Sequence, residues 1–396
     1  MFFKIVKFTI SNYENENRDK KEVSTLKELG YNVYIICNDQ ISVCTEEDEN
    51  IIRVPVYKTV YKQSRIVRYI LILKNYYRFN RCIRNENPNC ISCHDLIALV
   101  IGWISTWFKS KKRKPLLVYD AHEYEIGRNT DGKRGSLARW IIPKTEKFLM
   151  KKCAFSMMVN DSIAEAVQQN YHLKEKPVVV RNIPNYWEID EVVCQKKKED
   201  FCKQLNCPNE TFIMMYHGGL LKGRGIEKMF EVIQRIPEVA GVILGSGEEG
   251  YLNDLKKKTV ELDIEKRIIF HPSVPIEELW KYVGAADVGM VTVPAICESY
   301  YYMLPNKFFE NIQALTPIIA SDFPETGKLI REYDIGFCVD PEDTEQIVEA
   351  VETLRENPEV YKTKKANLKV AKEVLCWERE KQVLINAYEK IEKFRY

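Results

Sequence analysis

No apolar run in this 396-residue chain is long enough to span a bilayer. Its opening stretch, MFFKIVKFTISN, lacks the basic, apolar and small-residue regions of a signal peptide and reads as a buried first strand. Twelve cysteines are scattered without a paired framework, which argues against a disulfide scaffold and for a reducing cytoplasm. Cys90-Ile91-Ser92-Cys93-His94 matches the haem-attachment pattern, but covalent haem needs an exported, oxidising setting. No second ligand pair has the spacing to make it a zinc site. No glycine-rich loop ends in Gly-Lys-Ser/Thr, so a Walker A site is excluded. There is no Asp-x-Asp pair, and no two carboxylates stand out as the acid and base of glycoside hydrolysis.

What is present is globular: 45% hydrophobic and 29% charged, with length for two domains. The net charge of +2 hides an asymmetry. Residues 1–186 hold 31 Lys and Arg against 20 Asp and Glu, or +11, and the remainder carries −9. A basic half points to anionic lipid, a phosphate-bearing acceptor or nucleic acid. Residues 57–84 contain eight basic residues and no acid, interleaved with tyrosines and aliphatics. That pattern suits a helix lying on a membrane surface, or one docked on a sheet with snorkelling side chains. Trp103 and Trp107, in an apolar helix over Asp95–Phe108 and ahead of the basic run Lys109–Lys114, suit a lipid headgroup boundary. Nucleic acid fits less well, because these aromatics are not interleaved in a groove pattern. Glu46-Glu47-Asp48-Glu49 reads as a solvated acidic turn.

Strand and helix signals alternate throughout. In the first half, strands are expected at Phe3–Thr9, Tyr31–Cys37, Leu116–Tyr119, Phe155–Val159 and Pro177–Val180. Asp161 is the expected N-cap of the helix running to Asn170. A linker is expected at Asn182–Tyr186. A second series follows, with strands at Phe212–Tyr216, Val242–Leu244, Arg267–Phe270, Asp287–Val291 and Ile318–Ala320. Tyr361–Phe394 reads as one helix with Trp377 in its middle. The fold class is α/β: two doubly wound domains facing across a cleft, split near residue 186.

Ligands of such sheets bind at strand carboxyl ends. There the chain places Asp120-Ala121-His122-Glu123, making His122 either structural or functional. In the second series, His217-Gly218-Gly219 through Lys222-Gly223-Arg224-Gly225 joins a strand to a helix, a layout that cradles phosphate. Gly245-Ser246-Gly247-Glu248-Glu249-Gly250 is a formal G-x-G-x-x-G, but it does not open the first unit of its domain, so NAD is not expected. Cys297–Asp322 then reads as a polar aromatic loop, a helix beginning at Pro305, and a strand. Lys307 and Glu310 share one helical face while Phe308, Phe309 and Ile312 turn inward. They are either a surface ion pair or a donor site, with phosphate at the helix N-terminus and sugar hydroxyls on the carboxylate.

HGGLLKGRGIEKM, VILGSGEE, IIFHPSVPIEELWKYVGAADVGMV, PNKFFENIQALTPIIASDFPE and CWEREKQVLINAYEKI occur in an order that resembles family 4 of the GT-B glycosyltransferases. NRDKKEVSTLKELGYNVYIIC and VYDAHEYE resemble the same family in the first half. The resemblance implies an acceptor domain over 1–186, a nucleotide-sugar domain over 187–365, and a C-terminal helix over 366–396 packing back on the first domain. It implies retaining transfer from a nucleoside-diphosphate sugar to an acceptor hydroxyl, with a lipid-linked intermediate of surface polysaccharide as acceptor. Same-fold epimerases, hydrolases and non-catalytic binding subunits are the alternatives. By resemblance, Glu310 is the second glutamate of the E-x7-E motif and holds the ribose. Arg224 and Lys307 meet the diphosphate beside Gly218, Gly219 and Gly245. Val274 meets the base through its backbone, and His122, Glu298 and Tyr302 lie by the donor sugar. His122, Arg224 and Glu310 are thereby the expected catalytic group. No metal or other cofactor is expected, and the enzyme is expected on the cytoplasmic face of an anionic membrane. The chain departs from the pattern at Tyr302, which stands where the first motif glutamate belongs, and at Gly219, which replaces an arginine. Ser11–Asp19 also lacks the family's glycine-rich loop.

Overall fold

The computed structural model describes residues 3–13, 16–39, 50–58, 64–107, 109, 114–122, 124–128 and 135–393. The acidic turn at 46–49, Glu123 and residues 110–113 of the basic run lie outside them. The chain forms two compact units, Met1–Arg181 with Lys381–Tyr396, and Asn182–Glu380. The division falls after Arg181 because Ile183 is fully buried in the core of the second unit, against Phe308, Ile312 and Leu375.

The first unit runs β1 (Lys4–Phe8), α1 (Asn17–Glu28), β2 (Asn32–Asn38), β3 (Ile51–Val54), α2 (Arg65–Glu86), β4 (Cys90–His94), α3 (Asp95–Ser105), β5 (Leu116–Asp120), α4 (Ser136–Met150), β6 (Phe155–Met158), α5 (Asp161–Tyr171) and β7 (Val178–Val179). Its parallel sheet has the order β3-β2-β1-β4-β5-β6-β7. Short apolar runs such as KIVKF and CISCH are buried on both faces, as parallel strands covered by helices must be. Strand order reverses between β1 and β4, so the loops after these strands diverge and open a crevice at their carboxyl ends. α5 is capped one residue earlier than expected. The Asn160 side chain accepts from Ile163 N at 2.8 Å, which leaves Asp161 in the first turn to pair with Lys176 at 2.7 Å.

The second unit runs α6 (Glu191–Leu205), β8 (Phe212–His217), α7 (Ile226–Arg235), β9 (Val239–Leu244), α8 (Glu249–Glu261), β10 (Ile268–His271), α9 (Ile276–Val283), β11 (Val288–Val291), α10 (Glu298–Tyr301), α11 (Asn306–Gln313), β12 (Ile318–Ser321), α12 (Pro324–Tyr333), β13 (Gly336–Val339), α13 (Thr344–Glu356) and α14 (Pro358–Val374). Its parallel order is β10-β9-β8-β11-β12-β13, with the reversal between β8 and β11. Part of the stretch expected as loop is helical, since Glu298–Tyr301 forms the single turn α10.

The tail is two helices, not one. α14 ends at Val374 and α15 (Trp377–Lys393) begins at Trp377. Gln313 Nε2 donates to the carbonyls of Lys372 and Leu375 at 3.0 and 2.9 Å, satisfying groups that a helix end leaves open. Trp377 N donates to Pro184 O at 2.9 Å, so its amide is drawn out of a continuous helical ladder. The later turns of α15 belong to the first unit, where buried Tyr388 packs on Tyr31 and Phe155. Among the described residues, no helix is long and apolar enough to cross a membrane.

Candidate functional site

In the second unit, the carboxyl ends of β8 and β9 carry glycine for steric reasons, and so does the loop that packs on the end of β11. Gly245 N donates to His271 O at 2.9 Å, and a Cβ on Gly245 would lie 1.9 Å from the Gly218 carbonyl. Gly218 itself has φ +113°, a conformation that side chains rarely adopt. Gly225, at φ +78°, caps α7, and a Cβ there would meet the Thr292 carbonyl at 1.9 Å. These contacts fold the loop from Lys222 to Gly225 down against the end of β11.

α11 presents the polar side chains. Phe308, Phe309 and Ile312 are fully buried, as the spacing predicts. Lys307 and Glu310 are not a surface ion pair. Lys307 is itself buried, with Nζ 3.6 Å from the Tyr216 ring centroid, and its carboxylate neighbour is engaged elsewhere. Glu310 Oε2 lies 3.0 Å from His217 Nε2. Burial, and then the charge of Arg224, pull Lys307 down to about 7 against the opposing pull of Glu310. Arg224 stacks on Tyr300, its guanidinium carbon 4.7 Å from the ring centroid. Pro305, at the N-cap of α11, supplies no side-chain acceptor to the first-turn amides. Two cations, a helix N-terminus and a bare glycine backbone therefore share one corner. Such a corner stabilises an added polyanion.

The remaining expected residues sit around it. The Gly219 carbonyl accepts from Tyr216 Oη at 2.8 Å. Val274 follows β10 and packs half-buried beside the core that includes Leu279 and Leu244. Glu298 is exposed at the start of α10, and Tyr302 caps that turn with its ring 5.2 Å from Tyr301. His217 was quoted in the glycine-rich motif without a role, and the structure makes it the partner of Glu310.

In the first unit, His122 belongs to a buried charge network that the sequence reading missed. Lys7 Nζ lies 2.9 Å from Asp19 Oδ1, 2.6 Å from Glu22 Oε2 and 2.8 Å from Asp120 Oδ2. Arg18 reaches Asp120 Oδ1 at 2.9 Å and the Val180 carbonyl at 2.7 Å. Its Nε lies 3.0 Å from Glu22 Oε1 but off the hydrogen-bond line, so that contact is coulombic. His94 Nδ1 lies 2.8 Å from Asp19 Oδ2, and His122 Nε2 lies 3.2 Å from Asp120 Oδ2. The two imidazole rings lie tilted by 41° with centroids 3.7 Å apart. Two Asp–His pairs thus lie side by side, bridged by the Lys7 ammonium.

Burial disfavours charge throughout this network; the partners override it at Lys7, Asp19, His94 and Asp120, whereas Glu22 is raised by burial and Asp120 against Lys7 and Arg18. Asp120, Asp19 and Glu22 hold Lys7 above its ordinary range. Asp19 is held down at about 2 by Lys7 and His94, and His94 is held up at about 9 by Asp19 and Asp120. Asp120 is held well below the usual carboxylate range by Arg18, Lys7 and His122. Asp95, beside His94, has φ +66°, and its Oδ1 accepts from His122 N at 3.3 Å. Backbone strain of this kind collects at functional sites. Asp19, His94, Asp120 and His122 each bring one ligand atom within 4.8 Å of the others, a donor set that suits a divalent ion. Lys7 already neutralises both carboxylates, and an added divalent cation would face its charge.

Comparison with known proteins supplies the lineage. The Glycosyl transferases group 1 family model matches residues 197–370, and the Glycosyltransferase Family 4 model matches residues 22–185. An uncharacterized glycosyltransferase of Methanocaldococcus jannaschii is 25% identical over 272 residues, covering 67% of this chain and 66% of its own length. The lipopolysaccharide core biosynthesis glycosyltransferase LpsE of Rhizobium meliloti is 23% identical over 175 residues, covering 44% and 47%. The chain thus spans just under two thirds of the first relative and about half of the second. HepE of Anabaena, solved with UDP-glucose, superposes with a TM-score of 0.72 at 13% identity over 98% of this chain and 99% of that one. Two doubly wound parallel-sheet units make this a GT-B fold, and with both family models matched the chain belongs to the family 4 glycosyltransferases.

Proposed function

We propose that this protein is a retaining glycosyltransferase that moves a sugar from a nucleoside-diphosphate sugar to the hydroxyl of a lipid-linked intermediate of surface polysaccharide. The observation that carries the donor half of this reading is Lys307. A buried lysine pulled down to about 7, beside Arg224 and an uncapped helix N-terminus, is a corner that an added anion would stabilise. A diphosphate supplies one. The UDP-glucose complex of HepE supports a nucleotide-sugar donor, and LpsE supports a surface-polysaccharide pathway. The basic first unit supports work at the cytoplasmic face of an anionic membrane.

In this reading Glu310, oriented by His217, accepts from the ribose hydroxyls. Gly218, Gly219 and Gly245 let the backbone approach the phosphates, and Val274 lines the base. As the sugar–phosphate bond breaks, negative charge grows on the departing diphosphate, and Arg224, Lys307 and the α11 amides stabilise it. The acceptor attacks on the face from which the diphosphate leaves, and the leaving phosphate oxygen assists in taking the acceptor proton. By resemblance, His122, held by Asp120, is assigned to the transferred sugar, as are Glu298 and Tyr302. No divalent ion is assigned a role, since the chain has no Asp-x-Asp pair.

Calorimetric titration of UDP, GDP and ADP, and then of the matching sugar nucleotides, tests the donor site. Saturable binding of one diphosphate is expected, and no binding of any of the three sinks the reading. Nucleotide release that depends on added lipid-linked saccharide distinguishes an enzyme from a binding subunit. The absence of the first motif glutamate makes that second measurement necessary.

A further inference from the structure

α2 and α4 wear their apolar stripes on the outside. On α2, Ile66, Tyr69, Ile70, Leu73 and Tyr77 recur at i, i+3, i+4, i+7 and i+11, and they are 72, 68, 47, 64 and 68% exposed. The helix buries only Phe79 and Ile83. On α4, Leu137, Trp140, Ile141, Lys144 and Phe148 take the same five offsets. The four apolar members are 71, 60, 42 and 48% exposed. In an ordinary surface helix this spacing marks the face turned to the core. Single exposed apolar residues need no explanation, but two whole stripes do.

α3 packs between the two helices and joins the stripes. The Trp103 ring lies 4.9 Å from Trp107 and 5.6 Å from Phe148, and Trp107 is 42% exposed. Charge on these two helices has one sign. Arg65, Lys74, Arg81, Arg84, Arg139 and Lys144 are exposed. The two acids are spent elsewhere: Glu86 pairs with Lys4 at 2.7 Å, and Glu146 is buried beneath Tyr119 and Tyr171. Lys144 Nζ sits 3.5 Å from the Trp140 ring centroid, with its stem along the apolar stripe. A second copy of this chain would bring like charge against like. An anionic bilayer neutralises the arginines and lysines and takes up the apolar side chains.

We infer that α4 is a second membrane-contacting helix, and that α2 and α4 dock together onto an anionic phospholipid bilayer with Trp107 at the headgroup boundary between them. The inference deepens the membrane placement proposed above and rests on it. It is tested without donor or acceptor, so failure here and failure of the glycosyl-transfer reading are distinguishable.

The full chain is floated with vesicles of phosphatidylcholine containing phosphatidylglycerol, and with phosphatidylcholine alone, at low and high salt. Trp140→Gln with Phe148→Gln, and separately Ile70→Gln with Leu73→Gln, change only exposed side chains, and circular dichroism with denaturant unfolding of the same variants reports their fold. Each pair is expected to lower partitioning into anionic vesicles about tenfold or more, and the four changes together to abolish it. Quenching by brominated anionic lipid should fall when Trp140 is replaced by Phe, a change that leaves the surface apolar. Wild-type partitioning by the α4 pair, or unchanged quenching in Trp140→Phe, overturns the assignment of α4. Equal, salt-independent binding to neutral vesicles overturns the anionic bilayer. A vesicle-free dimer that the α4 pair dissociates makes a second copy the occupant instead.

Discussion

Lys7 and Lys307 are both buried lysines in doubly wound units, and they titrate in opposite directions. Lys7 has three carboxylates within 2.9 Å and is pushed above its ordinary range. Lys307 has an aromatic face and the charge of Arg224, and falls to about 7. Burial alone lowers a lysine, so the difference lies in the partners. In the first unit, Lys7, Arg18 and the His94 imidazolium face Asp19, Glu22 and Asp120, so each cation has carboxylates within reach. In the second unit, Glu310, which opposes burial and Arg224 at Lys307, is itself held by His217. His122 lies at the edge of the first cluster, 3.2 Å from Asp120.

The largest expected effect breaks this comparison at Lys7. Lys7→Met strips three buried carboxylates of their shared counter-ion. It should cost about 3–5 kcal/mol and unfold the first unit or leave it molten, measured by denaturant unfolding. Lys307→Met removes a strained ammonium. It should leave stability unchanged or raised while abolishing calorimetric binding of the nucleoside diphosphate. Similar stability losses in both variants would erase the distinction between the clusters.

The next effect separates charge from shape at Glu310. Glu310→Gln keeps the contact with His217 and loses the charge, so bonds to ribose hydroxyls weaken by about 1.5–3 kcal/mol each. Donor affinity should fall about tenfold to a hundredfold, for the nucleoside as well as for its diphosphate. Arg224→Ala should weaken the diphosphate and spare the nucleoside. Glu310→Gln binding both ligands like wild type would remove the ribose from this corner.

These two lysines also show what can be read from the chain and what cannot. β1 is visible as a strand because FKIVKF is apolar, and its odd lysine signals buried partners. The partners themselves, 15 and 113 residues away, are not visible. The place of Lys307 and Glu310 in the first turns of a helix after a loop is legible because helix N-terminus and loop are local features. His217, 93 residues from Glu310, was legible only as part of a glycine-rich run. The tail reads as one helix because nothing local stops it. The break is set by Gln313 and Pro184, both distant in sequence. α6 was overlooked because EVVCQKKKEDFCKQL buries only Cys194, Phe201 and Cys202, too sparse a stripe to stand out. The outward stripe of α4 has the spacing of a core helix, and only the structure shows which way it faces.

The smallest expected effect is a pH dependence, and its sign differs between the clusters. For stability, His94 is raised from 6.5 to about 9, so its contribution is fully present below pH 6.5 and is lost as pH rises through 9. Lys307 is lowered from 10.5 to about 7, so the unfolded chain binds more protons between those values and stability contributed there rises with pH. His94→Gln should therefore flatten an alkaline decline, and Lys307→Met should flatten a gain. For binding, a diphosphate restores the ammonium of Lys307, so complex formation above pH 7 takes up a proton. With the free group at about 7, affinity should fall roughly tenfold between pH 6 and pH 8, one pH unit being worth about 1.4 kcal/mol. Titrations at pH 8 in buffers of different ionisation enthalpy should show close to one proton taken up per diphosphate bound. In Lys307→Arg, which stays charged throughout, the uptake should vanish while some affinity remains. Proton release, or uptake that persists in Lys307→Arg, would mean that Lys307 is already charged or that another group answers the ligand.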